Sequence, residues 1–195
     1  MCRKREIMKP VNEIHSDFLL GKVKFHRVIE HDMFRDALMF YMDRKFSICA
    51  SLCSTLYEMI FTTRLVRETA NPDGFIPGKE NLEEQLQNLM SREHQIINQD
   101  KLSFRKITSE LTKKGVVTSE EKDEYDSFYT EIRNPVAHGL TFRLYEPMLG
   151  IKPAHTFEVE TNYQPVYEKA SHILLDNIYT LMHSKKLWSN EKHNN

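Results

Sequence analysis

Apolar residues recur every three or four positions over most of this chain, which is the spacing of one face of an α-helix. Between Phe34 and Tyr41, for example, they fall at i, i+3, i+4 and i+7. The same spacing is found at about 44–68, 82–97, 104–111, 125–132 and 166–182. A helix with one apolar face must cover that face against another element. The pattern therefore predicts about six helices in a mainly all-α bundle.

Short polar signals indicate where several of these helices begin and end. Asp32 is the expected N-cap of the first clear helix, and Thr118 with Glu121 matches a capping box. Gly115 fits the position just after a helix, where a left-handed backbone is common. Pro165 suits the first turn of the last helix, because the missing N–H has no intrahelical partner there.

The stretch before the last helix has a different composition. Residues 141–145 and 156–160 are short runs rich in aromatic and β-branched side chains, and Pro147, Gly150 and Pro153 lie between them. Runs of this kind, separated by Pro and Gly, are typical of strands. We therefore predict a small β-hairpin insertion at about 141–160, before the last helix.

The chain of 195 residues fits a single domain, and its 40% hydrophobic and 28% charged residues are ordinary for a globular protein. We expect a core at about 32–183 and a frayed tail at about 188–195, whereas residues 1–30 have no clear pattern. No signal peptide and no run of about 18 apolar residues is recognisable. A cytoplasmic location without a membrane partner is therefore expected.

The charge balance excludes a protein that is coated with basic residues. Lys and Arg total 27 against 28 Asp and Glu, so the net charge is -1. Any contact with nucleic acid must then come from a local patch. The candidate RNA-binding residues are Lys101, Arg105, Lys106, Lys113 and Lys114. A solvated helix face explains the same cluster equally well.

The sequence predicts no metal site and no cofactor. Cys49 and Cys53 lie four apart in an apolar pattern, which favours two core residues over a metal pair. The nine His form neither an H-E-x-x-H motif nor a pair at i and i+4. Gly-rich phosphate loops and G-x-S-x-G are also missing from the sequence.

The candidate functional stretch is Arg133-Asn134-Pro135-Val136-Ala137-His138-Gly139. In a continuous helix, residues five apart point roughly 140° away from each other. Pro135 disfavours helical geometry at Asn134, so we expect the helix to end near Arg133. A second turn, capped by Asn134 and closed by Gly139, would then direct Arg133 and His138 towards one cavity.

An Arg–His pair can cleave RNA without a metal. A guanidinium binds phosphate through a planar fork of donors, and an imidazole transfers protons near neutral pH. RNA supplies the nucleophile, its 2′-OH. One His per chain cannot easily serve as both general acid and general base. A symmetric homodimer that pairs two copies of the site would supply the second His. The alternative is structural: Arg133 pairs with a carboxylate, Asn134 is a cap, and His138 is a satisfied, half-buried imidazole.

A second polar feature lies on the longest predicted helix. Ser47, Ser51, Ser54, Thr55 and Glu58 occupy the side opposite its apolar stripe. Such a face is either solvated or lies close to a site or a partner helix.

The segment Glu131 to Gly139 resembles the Arg-Asn-x-x-x-His motif of the HEPN superfamily, and its place after an amphipathic helix and before the last helix is similar too. The pattern of Ala37, Tyr41, the break at 43–45, and Phe46 to Glu58 resembles the first two helices of these domains. The resemblance implies a helical bundle of four to six helices that dimerises. It also implies a metal-independent endoribonuclease in a defence or toxin–antitoxin role.

By this resemblance Arg133 and His138 are the catalytic residues and Asn134 supports them. RNA is the implied substrate, and an antitoxin or another protein is an implied partner. The hairpin would be an insertion that a minimal HEPN domain lacks. Two alternatives remain: a non-catalytic HEPN-like binding or assembly module, and a nucleic-acid-binding regulator that does not cleave.

Overall fold

The computed structural model describes residues 8–70, 82–99, 101–140, 142–150 and 163–183. In these ranges every regular element is helical, which confirms the all-α prediction. The helices are α1 (Val11–Leu19), α2 (Val28–Met42), α3 (Phe46–Ala70), α4 (Leu82–His94), α5 (Phe104–Lys113), α6 (Ser119–Phe128), α7 (Asn134–Ala137), α8 (Phe142–Leu149) and α9 (Gln164–His183). π-helical turns follow α4 at Gln95–Gln99 and α6 at Tyr129–Arg133.

The long helix α3 is the centre of the bundle and packs against α2, α4, α5, α7 and α9. Its predicted stripe is inside, since Cys49, Cys53, Leu56 and Ile60 are fully buried. By length and composition alone α3 could also cross a membrane, but 56% of its apolar window is buried within the bundle. A central core helix explains that apolar composition.

The turn between α2 and α3 is closed by backbone hydrogen bonds. Lys45 N–H donates to the carbonyl of Phe40 (2.8 Å), and Arg44 N–H donates to that of Tyr41 (3.0 Å). These are the two bonds of a Schellman motif, which places the residue after the helix in the left-handed region. Arg44 accordingly has a φ of 60°, a conformation that a side chain disfavours.

Two predictions about helix ends have different outcomes. Thr118 and Glu121 form the predicted capping box, with reciprocal bonds of 3.0 and 3.2 Å. The N-cap at Asp32 is wrong, because α2 begins one turn earlier at Val28. There the buried carboxylate of Glu30 accepts the backbone N–H groups of His26 and Arg27 and closes the first turn.

The predicted β-hairpin is wrong in its first half, because residues 142–149 form α8. Its second half, at 156–160, lies outside the described residues. Leu144, Tyr145 and Met148 are buried, and α8 packs against α9. Their i, i+1 and i+4 spacing fits one helical face, but an apolar run this short cannot be told from a strand by its sequence alone.

Helix α4 differs from expectation in its burial. The sequence pattern assigns Leu82, Leu86, Met90 and Ile97 to a core face, but these side chains are 47–70% exposed. Only Leu89 of that stripe packs against the core. Helical periodicity identified the element correctly, whereas the position of α4 at the edge of the bundle leaves most of its apolar face open.

Helix α1 lies in the stretch for which the sequence has no clear pattern, and a polar cluster ties it to α9. Asp17 accepts hydrogen bonds from Lys9, Lys22 and Tyr179 at 2.6–2.8 Å. The bond from Lys22, followed by those from Lys9 and Tyr179, lowers the pKa of the Asp17 carboxyl. The cluster fixes the first helix against the last one.

Candidate functional site

The Arg-Asn-x-x-x-His stretch lies on one continuous helical path, so the predicted bend at Arg133 is wrong. Arg133 and Asn134 both have right-handed helical torsions, with φ near -63° and ψ of -48°. The turn before Pro135 is π-helical, and Asn134 N–H donates to the carbonyl of Tyr129, five residues back. This wider turn makes room for the proline ring, which would crowd a carbonyl in an α-helix.

Gly139 ends this helix as the sequence predicts. Leu140 N–H donates to the carbonyl of Pro135 (2.8 Å), and Gly139 N–H donates to that of Val136 (3.2 Å). These bonds form a Schellman motif with Gly139 in the left-handed region, at a φ of 64°. His138 is therefore the C-cap residue of α7, and its side chain is exposed.

Arg133 is bound on every nitrogen of its guanidinium. Nε donates to the backbone carbonyl of Ser54 (3.1 Å), and Nη1 donates to the Tyr129 hydroxyl (3.0 Å) and to Asn134 Oδ1 (3.2 Å). Nη2 forms an ion pair with the carboxylate of Glu58. The Arg133 side chain is only 12% exposed, whereas that of Glu58 is 34% exposed.

Two stacked aromatic rings pack against one face of the guanidinium. The Arg133 Cζ atom lies 4.8 Å from the centroid of the Tyr129 ring, a cation–π distance. Tyr129 in turn stacks on Phe104 of α5, with centroids 4.1 Å apart and planes 5° apart. Burial first, and then the charge of Glu58, raises the pKa of the Tyr129 phenol. The hydroxyl therefore stays protonated at neutral pH.

Two members of the polar face on α3 belong to this cluster. Ser54 is buried, and its hydroxyl donates to the backbone carbonyl of Arg133 (3.2 Å). Arg133 Nε in turn donates to the backbone carbonyl of Ser54, so the two residues bind each other reciprocally. Glu58 lies one helical turn further along. The remaining members, Ser47, Ser51 and Thr55, are exposed. Sequence reasoning found the face, but it did not identify Ser54 and Glu58 as the partners of Arg133.

The structure brings Arg133 and Asn134 together and leaves His138 apart from their contacts. Within the described residues, no hydrogen bond or ion pair joins the His138 imidazole to Arg133 or to any other group. Among the described residues the exposed His138 imidazole therefore has no partner, contrary to the satisfied, half-buried imidazole of the structural alternative. Arg133 does pair with a carboxylate, as that alternative expects.

The five candidate RNA-binding cations lie on α5 and its flanks, and all are exposed. Lys113 pairs with Glu110 at 2.6 Å. Arg105 contributes to a polar groove between α5 and the following helix, whose other lining residues are Lys122, Asp123, Asp126, Ser127, Thr130 and Glu131. Acidic groups therefore offset part of the positive charge on this surface.

Metal-binding side chains do not cluster in the described part of the chain, where no group of three His, Cys, Asp or Glu residues is placed to hold an ion. Cys49 and Cys53 are free and buried on the inner face of α3. Burial, followed by the neighbouring Cys49, raises the pKa of the Cys53 thiol. This thiol is therefore a protonated core group.

Comparison of the chain with protein-family models, with curated proteins and with solved structures returns no match.

Proposed function

We propose that this protein is a metal-independent endoribonuclease of the HEPN type that cleaves RNA through the ribose 2′-OH. Arg133 binds the scissile phosphate, Asn134 holds the guanidinium in place, and His138 transfers the proton. One observation carries the proposal: an exposed imidazole without a protein partner among the described residues ends the same helix that positions a preorganised arginine. General acid–base catalysis needs an accessible group of this kind.

The reaction requires only groups that the RNA and the protein supply. The 2′-oxygen attacks phosphorus as its proton passes to a base, and the bond from phosphorus to the 5′-oxygen breaks. A proton is delivered to that 5′-oxygen as it leaves. The products are a 2′,3′-cyclic phosphate and a 5′-hydroxyl. Arg133 stabilises the charge that develops on the phosphate oxygens, because a fixed guanidinium needs no reorganisation during the step.

The likeness of residues 131–139 to the HEPN motif extends the proposal to the oligomeric state and the biological role of the protein. Because the stretch is helical throughout, Arg133 and His138 of one copy point roughly 140° apart. A homodimer would bring both motifs to one cleft, where Arg133 of one copy binds the phosphate and the two His138 side chains act as base and acid. The RNase would act in the cytoplasm in a defence or toxin–antitoxin role, with an antitoxin or another protein as its regulator. Lys101, Arg105, Lys106, Lys113 and Lys114 would contact the RNA backbone away from the scissile bond.

A nuclease assay in the presence of EDTA tests the proposal. Wild type should cleave mixed-sequence RNA and leave cyclic phosphate ends, which mass spectrometry identifies. His138→Ala should lower the rate by at least about 100-fold, the usual contribution of a general acid–base group. His94→Ala, which removes another exposed imidazole, is the matched control and should cleave normally. A His138→Ala variant that cleaves as fast as wild type would refute the assignment.

A second candidate is a non-catalytic binding or assembly module with the same helical architecture. It is favoured by the protein acceptors that engage every nitrogen of the Arg133 guanidinium, as expected for a structural arginine. In that case the motif is a helix-joining element, and neither wild type nor any variant cleaves RNA in EDTA. The His138→Ala variant would then still bind its protein partner. Binding would be lost only when Arg133 is replaced, because the contact between α3 and the motif helix is then weakened.

A further inference from the structure

The ion pair between Arg133 and Glu58 bears on how an anion could reach the arginine. A guanidinium has five N–H donors. Four of the Arg133 donors are engaged: one on Nε by Ser54, two on Nη1 by Tyr129 and Asn134, and one on Nη2 by Glu58. Among the described residues nothing accepts the second Nη2 proton. A phosphate oxygen would therefore bind beside the Glu58 carboxylate.

The four acceptors differ in charge and in freedom to move. The Ser54 acceptor is a backbone carbonyl in the core helix, Tyr129 is held by its stack on Phe104, and Asn134 is the next residue in the helix. Glu58 is the only charged acceptor, and its side chain is 34% exposed. Its carboxylate can swing towards solvent while the other three bonds keep the guanidinium in place.

The electrostatics favour such an exchange. A largely buried arginine without a counter-ion is costly, so the empty site needs Glu58. A phosphate brings its own negative charge to the same nitrogen, and two anions bound to the two N–H groups of one nitrogen repel each other strongly in a partly buried site. One of them must leave or lose its charge.

We infer that Glu58 is a displaceable counter-ion that occupies Arg133 until an RNA phosphate replaces it. The inference rests on the proposed function, because it assigns phosphodiester binding to Arg133. Glu58 is then a positioning residue that acts through Arg133 and weakens binding of anions at the site. A residue with a purely structural role would have the opposite effect, since its loss would loosen the guanidinium and weaken binding.

Glu58→Gln tests this inference, because glutamine keeps the acceptor oxygen and removes the charge. The probe is a short, fluorescein-labelled 2′-O-methyl RNA of mixed sequence, which has no free 2′-OH and is not cleaved. Its affinity for Glu58→Gln should rise about fivefold, which corresponds to roughly 1 kcal/mol, the upper end for a partly exposed ion pair. Glu93→Gln removes an equal charge from another ion pair with an arginine, that of Arg27, and is the matched control, because the Glu93 side chain is similarly exposed (31%).

The comparison with the control decides the outcome. If Glu58→Gln gains no more affinity than Glu93→Gln, the inference is overturned. Arg133→Ala combined with Glu58→Gln should lose the gain, because the two residues act on one another. A gain in the double variant equal to that of Glu58→Gln alone would also overturn it.

A measurement on wild type keeps the inference testable if a variant does not fold. During titration with inorganic phosphate, the NMR signals of Arg133 Nη2 and of the Glu58 carboxyl carbon should shift together. Phosphate that leaves the Arg133 signal unchanged, or that moves it without the Glu58 signal, overturns the inference. The proposed function is judged separately, by cleavage in EDTA. Displacement of Glu58 without any cleavage would support the exchange and refute the nuclease.

Discussion

Replacing Arg133 and replacing His138 should have very different effects on the stability of the fold. Arg133 joins three elements, because it binds Ser54 and Glu58 on α3, Tyr129 in the π-helical turn and Asn134 at the start of α7. The His138 side chain is exposed and makes no hydrogen bond within the described residues. A measurement of folding stability alone can therefore distinguish the structural contributions of Arg133 and His138.

The magnitude follows from the contacts that Arg133→Ala removes. Three hydrogen bonds to uncharged acceptors each stabilise a protein by about 1 kcal/mol net, and more where the donor is charged and buried. The ion pair adds roughly 1 kcal/mol at most, because a side chain like Glu58 that is 34% exposed is screened by water. Since neighbouring interactions do not add fully, we expect a loss of about 3 kcal/mol.

Urea denaturation followed by circular dichroism measures the difference. Arg133→Ala should unfold at a clearly lower urea concentration with an unchanged m-value, and His138→Ala should stay within about 0.5 kcal/mol of wild type. An Arg133→Ala variant as stable as wild type would show that these contacts do not stabilise the fold. A His138→Ala variant that loses more than about 1 kcal/mol would show that the exposed ring has a structural contact.

Two further predictions concern helix ends and pH. Gly139→Ala should lower, and Arg44→Gly should raise, the free energy of unfolding by about 1 kcal/mol, because both positions have left-handed torsions that a Cβ disfavours. Equal urea midpoints for these two variants would contradict this. Burial raises the pKa of the Glu30 carboxyl, so the folded state binds its proton more tightly than the unfolded state. Wild type should therefore lose stability relative to Glu30→Gln as the pH rises above the ordinary Glu range, and parallel pH profiles of the two proteins would refute that.

The element types were largely predictable because their signals are local. Apolar spacing of three and four residues identified α2, α3, α4, α5, α6 and α9. The capping box of Thr118 and the closure of a helix by Gly139 involve residues only a few positions apart. Residues 142–149 are the exception, because their apolar pattern suits both a strand and a helix. Packing of Leu144 and Met148 in the core selects the helix.

The candidate site divides in the same way. Its position and its three candidate residues came from a short motif, and the polar face of α3 was visible in the sequence. The bend at Pro135 was not correct, because local rules treat a proline as a helix end and do not foresee a π-helical turn. Local rules also cannot pair Arg133 with Glu58, which lies 75 residues away.

Local patterns in the sequence are enough to show that this chain is helical, where most helices lie and which stretch has residues suited to phosphate and proton chemistry. The contacts that these residues make with distant parts of the chain depend on the assembled fold. Packing of α3 against the motif helix supplies Arg133 with the Glu58 carboxylate and the Ser54 carbonyl, and it leaves His138 in solvent. Periodicity and capping act within one or two helical turns, whereas an ion pair between distant helices forms only when the whole core is assembled.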